Sequence, residues 1–195
     1  MALRYFFDVV CPYSYIMGFE VEEAENEGVA EIEWLPFELR PAPAPLPEPR
    51  GEYIRGHWRG QVYRLADEHG VEIHAPRYQP RSTLALTLHA FAVEEEKGRA
   101  YRNAAHRAFF VEGLDVGDDA VLREAAREAG LDADAALEAA WDPARHVALR
   151  STREEALRLG IHGVPTVATA DEVLFYGAAA PGRLRAMLDK EPGAR

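Results

Sequence analysis

A chain of 195 residues that is 48% hydrophobic and 28% charged, with a formal net charge of −11, has the composition of a globular protein with ample apolar material for a core. The acidic excess argues against nucleic acid or an anionic membrane surface as partner, because both select a basic face. No stretch nears the roughly 20 apolar residues of a membrane span.

The opening Met1-Ala2-Leu3-Arg4 is followed too soon by Asp8 for a signal-peptide apolar run, and Cys11 is the lone cysteine, so no internal disulfide can form. Both features predict a reducing, cytoplasmic setting. Residues 3–10 are an apolar run broken by Arg4 and Asp8, which suits a strand covered on both faces. From Pro12 to about Asn26, Tyr15, Ile16, Phe19 and Ala24 recur at helical spacing, with Glu20, Glu22, Glu23, Glu25 and Glu27 as the wet face and Gly28 as the stop. Residues 31–39 alternate as a second strand, completing a βαβ unit.

Residues 40–50 carry five alternating prolines, which predicts an extended connector into a second module. Residues 51–141 give only helical signals. Ile54, Trp58, Val62 and Leu65 form one stripe. Ser82 is a candidate cap for a helix carrying Leu84, Leu88 and Phe91; Tyr101, Ala105 and Phe109 mark the next. Asp118 or Asp119 opens a helix with Val121, Leu122, Ala125 and Ala129 inward, and Asp132 opens a short one. Asp142-Pro143 starts a helix that Gly160 stops. Two short strands around Asp171-Glu172 then form a hairpin, a helix over 181–188 follows, and 191–195 is a tail.

The candidate chemistry lies at the strand-to-helix junction, Asp8-Val9-Val10-Cys11-Pro12-Tyr13-Ser14. The first turn of a helix has unpaired N–H groups and the positive dipole end, and Pro12 is tolerated there. A thiolate so placed is stabilised, predicting a pKa below the free value of about 8.5, in the range of roughly 3.5–7.5. The opposing reading is that a free cysteine is a buried, inert core residue. Asp8, three residues earlier, is either a proton acceptor beneath the thiol or a plain strand-end carboxylate. Tyr13 either lines a groove or packs on the helical module, and Ser14 is either a hydrogen-bond donor to the sulfur or simple helix polarity. The seven histidines show no ligand spacing, so no metal site is expected; His162 is read as a solvated loop residue.

The element order β-α-β, helical insert, α-β-β-α is that of a thioredoxin fold interrupted by helices, and particular residues strengthen the likeness. Phe7-Asp8-Val9-Val10-Cys11-Pro12-Tyr13-Ser14-Tyr15 resembles the active-site segment of DsbA-family proteins of the FrnE type, and residues 34–39 (Trp-Leu-Pro-Phe-Glu-Leu) resemble that group's second strand. Residues 109–116 with Val121-Leu122 resemble its insert, and Gly163-Val164-Pro165-Thr166 resembles the cis-proline turn of thioredoxin-like proteins. The chain is also similar to the related kappa-class glutathione transferases and 2-hydroxychromene-2-carboxylate isomerases, which carry Ser-Pro-Tyr-Ser or Ser-Pro-Phe-Ser at the place of Cys11 to Ser14.

The resemblance implies an α/β, thioredoxin-like fold with an inserted all-helical domain. The thioredoxin-like part would span 1–45 and 143–195, and the insert 46–142. It implies a thiol-disulfide oxidoreductase with Cys11 and Ser14 as catalytic residues and with Pro12, Tyr13, Val164 and Pro165 along the substrate. The chain departs from the pattern in two respects. Ser14 stands where a dithiol enzyme keeps its resolving cysteine, and Gly177-Ala178-Ala179-Ala180 lacks the Asp-Arg pair by which the transferases hold glutathione. The implied cycle is therefore monothiol, without an obligatory bound cofactor, and an external thiol such as glutathione must release the mixed disulfide. The implied partner is a disulfide-bearing peptide or protein or a small thiol, with a homodimer as the implied assembly. The alternatives are a glutathione-dependent isomerase or transferase acting on an apolar aromatic substrate, and a redox-idle peptide-binding module.

Overall fold

The structure is a computed structural model that describes residues 3–49 and 51–190. The sequence readings of Met1, Ala2, Arg50 and the 191–195 tail lie outside the described residues. The elements begin β1 (Leu3–Phe7), α1 (Pro12–Asn26) and β2 (Ile32–Pro36), followed by α2 (Glu52–His57) and α3 (Tyr63–His69), which a π-helical turn (Trp58–Val62) joins. Then come α4 (Thr83–Glu94), α5 (Gly98–Phe110), α6 (Asp119–Glu128) and α7 (Ala133–Trp141). The chain returns through α8 (Pro143–Arg158), β3 (Thr166–Ala168), β4 (Val173–Tyr176) and α9 (Arg183–Leu188).

Leu3, Tyr5, Phe6 and Phe7 are all buried, and burial on both faces makes β1 an inner strand of the sheet ordered β2-β1-β3-β4. β2 pairs parallel to β1, with Leu3 opposite Ile32 and Phe7 opposite Pro36; a proline that cannot donate is tolerated on this edge strand. β3 runs antiparallel to β1, and β4 antiparallel to β3. The first strand ends at Phe7, earlier than its apolar run suggests, because residues 8–11 turn and the Cys11 N–H donates to the Asp8 carbonyl (3.0 Å).

Alternation along β1 divides the core. Tyr5 and Phe7 pack with Ile16, Met17 and Val21 of α1, Leu184 and Leu188 of α9, and the insert, in one continuous cluster. Phe6 points into a smaller cluster with Phe37, Ala156, Ile161, Val164 and Cys11. Burying each large side chain contributes about 1.5–3 kcal/mol, so β1 anchors both cores.

The insert follows the predicted stripes with instructive exceptions. Ile54, Trp58, Val62 and Leu65 are all buried, and the wider π turn keeps residues spaced four apart on one face. On α4 the inward residues are Ala85, Leu88, His89 and Ala92, whereas Leu84 and Phe91 are half-buried. Asp118, Asp132 and Asp142 cap α6, α7 and α8 through their carboxylates. Ser82 occupies the cap position of α4 but its side chain makes no cap hydrogen bond; it lies beside Asp8 instead and favours that group's charged form. The proline-rich connector is not extended throughout. Ala44 N–H donates to Pro41 O (2.9 Å), the Ala42–Pro43 peptide is cis, and Arg81 donates to the carbonyls of Arg40 (2.7 Å) and Ala44 (2.9 Å).

Two predicted assignments on α1 are reversed. Phe19 is 49% exposed, and Glu20 is 8% exposed. The Glu20 carboxylate accepts from Gly182 N–H (2.8 Å) and Arg185 N–H (3.3 Å), so α1 caps the start of α9 across the fold. His69 Nδ1 lies 3.5 Å from the same carboxylate, while its Nε2 donates to Ala179 O (2.9 Å). Hydrogen bonds to a charged group contribute about 1.5–3 kcal/mol each. Replacing Glu20→Ala is therefore expected to lower unfolding free energy in urea by about 2 kcal/mol, with Glu20→Gln intermediate; an unchanged midpoint would mean that α9 docks without this cap.

Candidate active site

Cys11 is the N-cap residue of α1, with extended backbone (φ −89°, ψ 114°), and Pro12 begins the helix. It occupies this corner because β1 feeds straight into α1 through the 8–11 turn. Its thiol donates to the Val164 carbonyl (3.5 Å) across the cis Val164–Pro165 peptide, a contact between residues 153 positions apart in sequence. The Ser14 hydroxyl, one turn along, and the N–H groups of Ser14 and Tyr13 lie close enough to the sulfur to favour its charged form.

These donors favour the thiolate, as does the helix end. Burial outweighs them. Cys11 is 5% exposed among Phe6, Phe37, Ile161 and Val164, and desolvation pushes its thiol up to about 11. The nearby Asp8 carboxylate adds to the rise. The predicted depression is thus overturned: the resting sulfur is a protonated, desolvated thiol, because a charge in that hydrocarbon wall loses more hydration than three donors return.

Asp8 is fully buried. Its carboxylate accepts from Leu39 N–H (2.8 Å) and Val10 N–H (3.3 Å), and the neighbouring Ser82 hydroxyl also favours its charged form. It therefore ties the end of β1 to the segment after β2 and to the head of α4, while the thiol proton is directed at Val164. Burial raises its pKa from the ordinary 3.8 to about 6, against the lowering effect of those hydrogen bonds. Ser14 is also fully buried, and its hydroxyl accepts from Asp8 N–H (3.4 Å).

Cys11 opens onto a cleft of ≈ 240 Å³ between the sheet end and the insert. Pro12, Tyr13 and Val164 line it. Pro165 is buried, and its carbonyl already accepts from Gly177 N–H (2.8 Å). The Val164 carbonyl faces Cys11, so the carbonyls of Val164 and Pro165 are both engaged within the chain. The opposite wall holds residues that no motif pointed to: Tyr53, His57, Trp58 and Arg81, with Leu46 and Pro47 from the connector. Tyr13 OH meets His57 Nε2 (3.0 Å) and donates to Gln61 Oε1 (2.9 Å). The His57 ring stacks on Tyr53 with centroids 5.5 Å apart. The π turn that begins at Trp58 directly after His57 is a feature common at functional sites; helical periodicity alone does not report it. His162 is exposed and lines no part of the cleft. Among the described residues no cluster of His, Cys, Asp or Glu could hold a metal.

The folded state holds the Asp8 proton more tightly than the unfolded chain does, so this group favours folding at low pH and loses that contribution as pH rises through about 6. A shift of this size corresponds to about 3 kcal/mol. Asp8→Asn cannot ionise. Relative to the parent protein it is expected to gain about 3 kcal/mol between pH 3.5 and pH 7.5 in urea unfolding, and a pH-independent difference would show that Asp8 titrates normally.

The model of the DSBA-like thioredoxin domain matches residues 2–189. The protein YwbO of Bacillus subtilis (strain 168) is 34% identical over 179 residues, covering 88% of each chain. A 2-hydroxychromene-2-carboxylate isomerase of Sphingobium xenophagum is 23% identical over 188 residues, covering 90% of this chain and 91% of that one. Among solved structures, a probable DsbA oxidoreductase of Streptomyces coelicolor superposes with a TM-score of 0.78 at 24% identity, covering 100% of this chain and 89% of that one. No helix among the described residues is long and apolar enough to cross a membrane. With its four-stranded sheet, its helical insertion and a cysteine at the head of the first helix, the chain belongs to the DSBA-like thioredoxin family.

Proposed function

We propose that the chain is a monothiol thiol-disulfide oxidoreductase acting through a mixed disulfide on Cys11. The observation that carries this reading is the position of the lone sulfur, at the head of α1, against the Val164 carbonyl and at the mouth of the cleft. Once the thiol has lost its proton to solvent, the thiolate attacks a substrate disulfide. One S–S bond forms on Cys11, the substrate S–S bond breaks, and the leaving half departs as a thiolate. The Ser14 hydroxyl and the N–H groups of Tyr13 and Ser14 hold the developing negative charge. With no second cysteine in the chain, a thiolate from outside attacks the mixed disulfide, forms a new disulfide with its substrate half and regenerates the Cys11 thiolate. Glutathione or another low-molecular-weight thiol in the cytoplasm is the external partner of this cycle.

A second reading has one observation in its favour. The cleft wall is aromatic, with Tyr13, Tyr53 and Trp58, which suits a small apolar molecule better than a long polypeptide. In that reading Cys11 holds a thiol cofactor for an isomerase of the 2-hydroxychromene-2-carboxylate type.

The test is turnover of a small mixed disulfide with glutathione as reductant. Cys11→Ser is expected to reduce it to background, and intact mass after exposure to glutathione disulfide to show one adduct on the parent protein. Undiminished turnover in the variant, or no adduct at all, would remove the redox reading. A thiol pushed up to about 11 also predicts that Cys11 alkylation accelerates about tenfold per pH unit between pH 7 and 10, since only the thiolate reacts. Ser14→Ala is expected to slow it about tenfold at fixed pH, the loss of one hydrogen bond to the charged sulfur. A plateau below pH 8 would contradict the burial argument.

A further inference from the structure

The Cys11 cleft carries a charge balance opposite to that of the chain. Acidic residues outnumber lysine and arginine by 33 to 22 over the whole sequence. The cleft, however, is lined by Arg40 and Arg81 and by a single carboxylate among the described residues, Asp8. That carboxylate is fully buried, and its oxygens are already engaged by the N–H groups of Leu39 and Val10.

Elsewhere the chain neutralises its cations. In a larger cavity, ≈ 540 Å³, beside the edge strand β2, Arg99 pairs with Glu25 (3.1 Å), Arg145 with Glu94 (2.7 Å) and the buried Arg102 with Glu22. Among the described residues, Arg40 and Arg81 have no such carboxylate.

Both arginines stand beside the reacting corner. Arg40 follows Leu39 and Arg81 precedes Ser82, and those two neighbours lie against Asp8, three positions before Cys11. Arg81 Nη1 donates to the Arg40 carbonyl (2.7 Å) and Nη2 to the Ala44 carbonyl (2.9 Å). These bonds fix the guanidinium at the foot of the connector, whose Leu46 and Pro47 line the same cleft. A guanidinium has five N–H donors, so three remain, and two neutral carbonyls leave its charge uncompensated. Arg81 is half-buried and Arg40 exposed; neither is sealed from a molecule in the cleft.

We propose that the cleft selects low-molecular-weight disulfides that carry carboxylate groups, with Arg81 and Arg40 receiving the carboxylate of the half that becomes bonded to Cys11. This rests on the mixed-disulfide reading and names its substrate class. The exchange is the one given above: the bond to Cys11 forms, the substrate S–S bond breaks and the other half leaves as a thiolate. The planar fork of Arg81 matches a carboxylate, whereas a cationic disulfide meets two uncompensated guanidinium groups.

Dithiodipropionate, hydroxyethyl disulfide and cystamine share one skeleton and end in carboxylate, hydroxyl and ammonium. The rate of adduct formation on Cys11 is followed by intact mass and divided by the rate of free mercaptoethanol with the same disulfide, which removes intrinsic reactivity. The dicarboxylate is expected to react at least about fivefold faster than the neutral disulfide, and cystamine slowest, the spread shrinking in about 0.5 M salt. Arg81→Met is expected to abolish the preference. Arg40→Glu keeps the backbone carbonyl that Arg81 holds and is expected to place cystamine ahead of the dicarboxylate, even if Arg81→Met fails to fold. Arg150→Glu, the same charge change on an exposed position of α8, is expected to leave the parent order intact. Equal normalised rates in the parent protein, cystamine fastest, a preference that survives Arg40→Glu, or one lost equally in Arg150→Glu would each overturn the proposal. Adducts with none of the three would end the redox reading itself. The charge preference is then decided by NMR at the Trp58 indole N–H, and an affinity for phenylpropionate no higher than for phenylpropanol would overturn it.

Discussion

The buried Asp8 carboxylate is the constraint on which the site depends. Its oxygens take hydrogen bonds from Leu39 and Val10, and Ser82 at the head of α4 lies beside them and favours their charge. One acidic group thereby joins three segments that are distant in sequence: the end of β1, the chain leaving β2 and the return of the insert. A buried carboxylate is tolerated only when it is so paired. The same carboxylate lies beside Cys11 and opposes its ionisation, so the connection that assembles the corner also restrains the sulfur within it.

That restraint shapes the chemistry. A helix N-terminus, a serine hydroxyl and two backbone N–H groups all favour a thiolate, and in an open site they would prevail. Here Phe6, Phe37, Ile161 and Val164 close around the sulfur, and desolvation prevails. A thiol held in this way resists adventitious oxidation and alkylation, because both need the anion. In the proposed cycle it attacks only once its proton has left and the donors at the head of α1 take over the charge. The aromatic wall contributed by Tyr53, His57 and Trp58 belongs to the insert, so the insert governs what reaches the sulfur.

The two cavities differ in kind. The Cys11 cleft is bounded by the lone sulfur and by Val164 from the far end of the chain, whereas the cavity beside β2 is lined by Trp34, Arg99, Arg102 and Arg145. The first was marked by a motif at a strand-helix junction, and the second by nothing in the local pattern.

Features that depend on near neighbours are legible in the chain: the βαβ start, the caps at Asp132 and Asp142 and the choice of Asp118 or Asp119 before α6, the stripe of Ile54, Trp58, Val62 and Leu65, and Cys11 at the head of α1. These follow from the periodicity of side chains and from unpaired N–H groups at helix ends, which act within a few residues. Burial and long-range pairing emerge only once the chain is folded. The Glu20 carboxylate, the first of the five glutamates that read as the solvent-facing side of α1, caps α9 because α9 packs there. Ser82 gives up its own helix end for Asp8, and the Cys11 thiol rises to about 11 where local reasoning predicts a fall. Desolvation is a property of everything that closes around an atom, and the residues that close around this sulfur come from both ends of the chain.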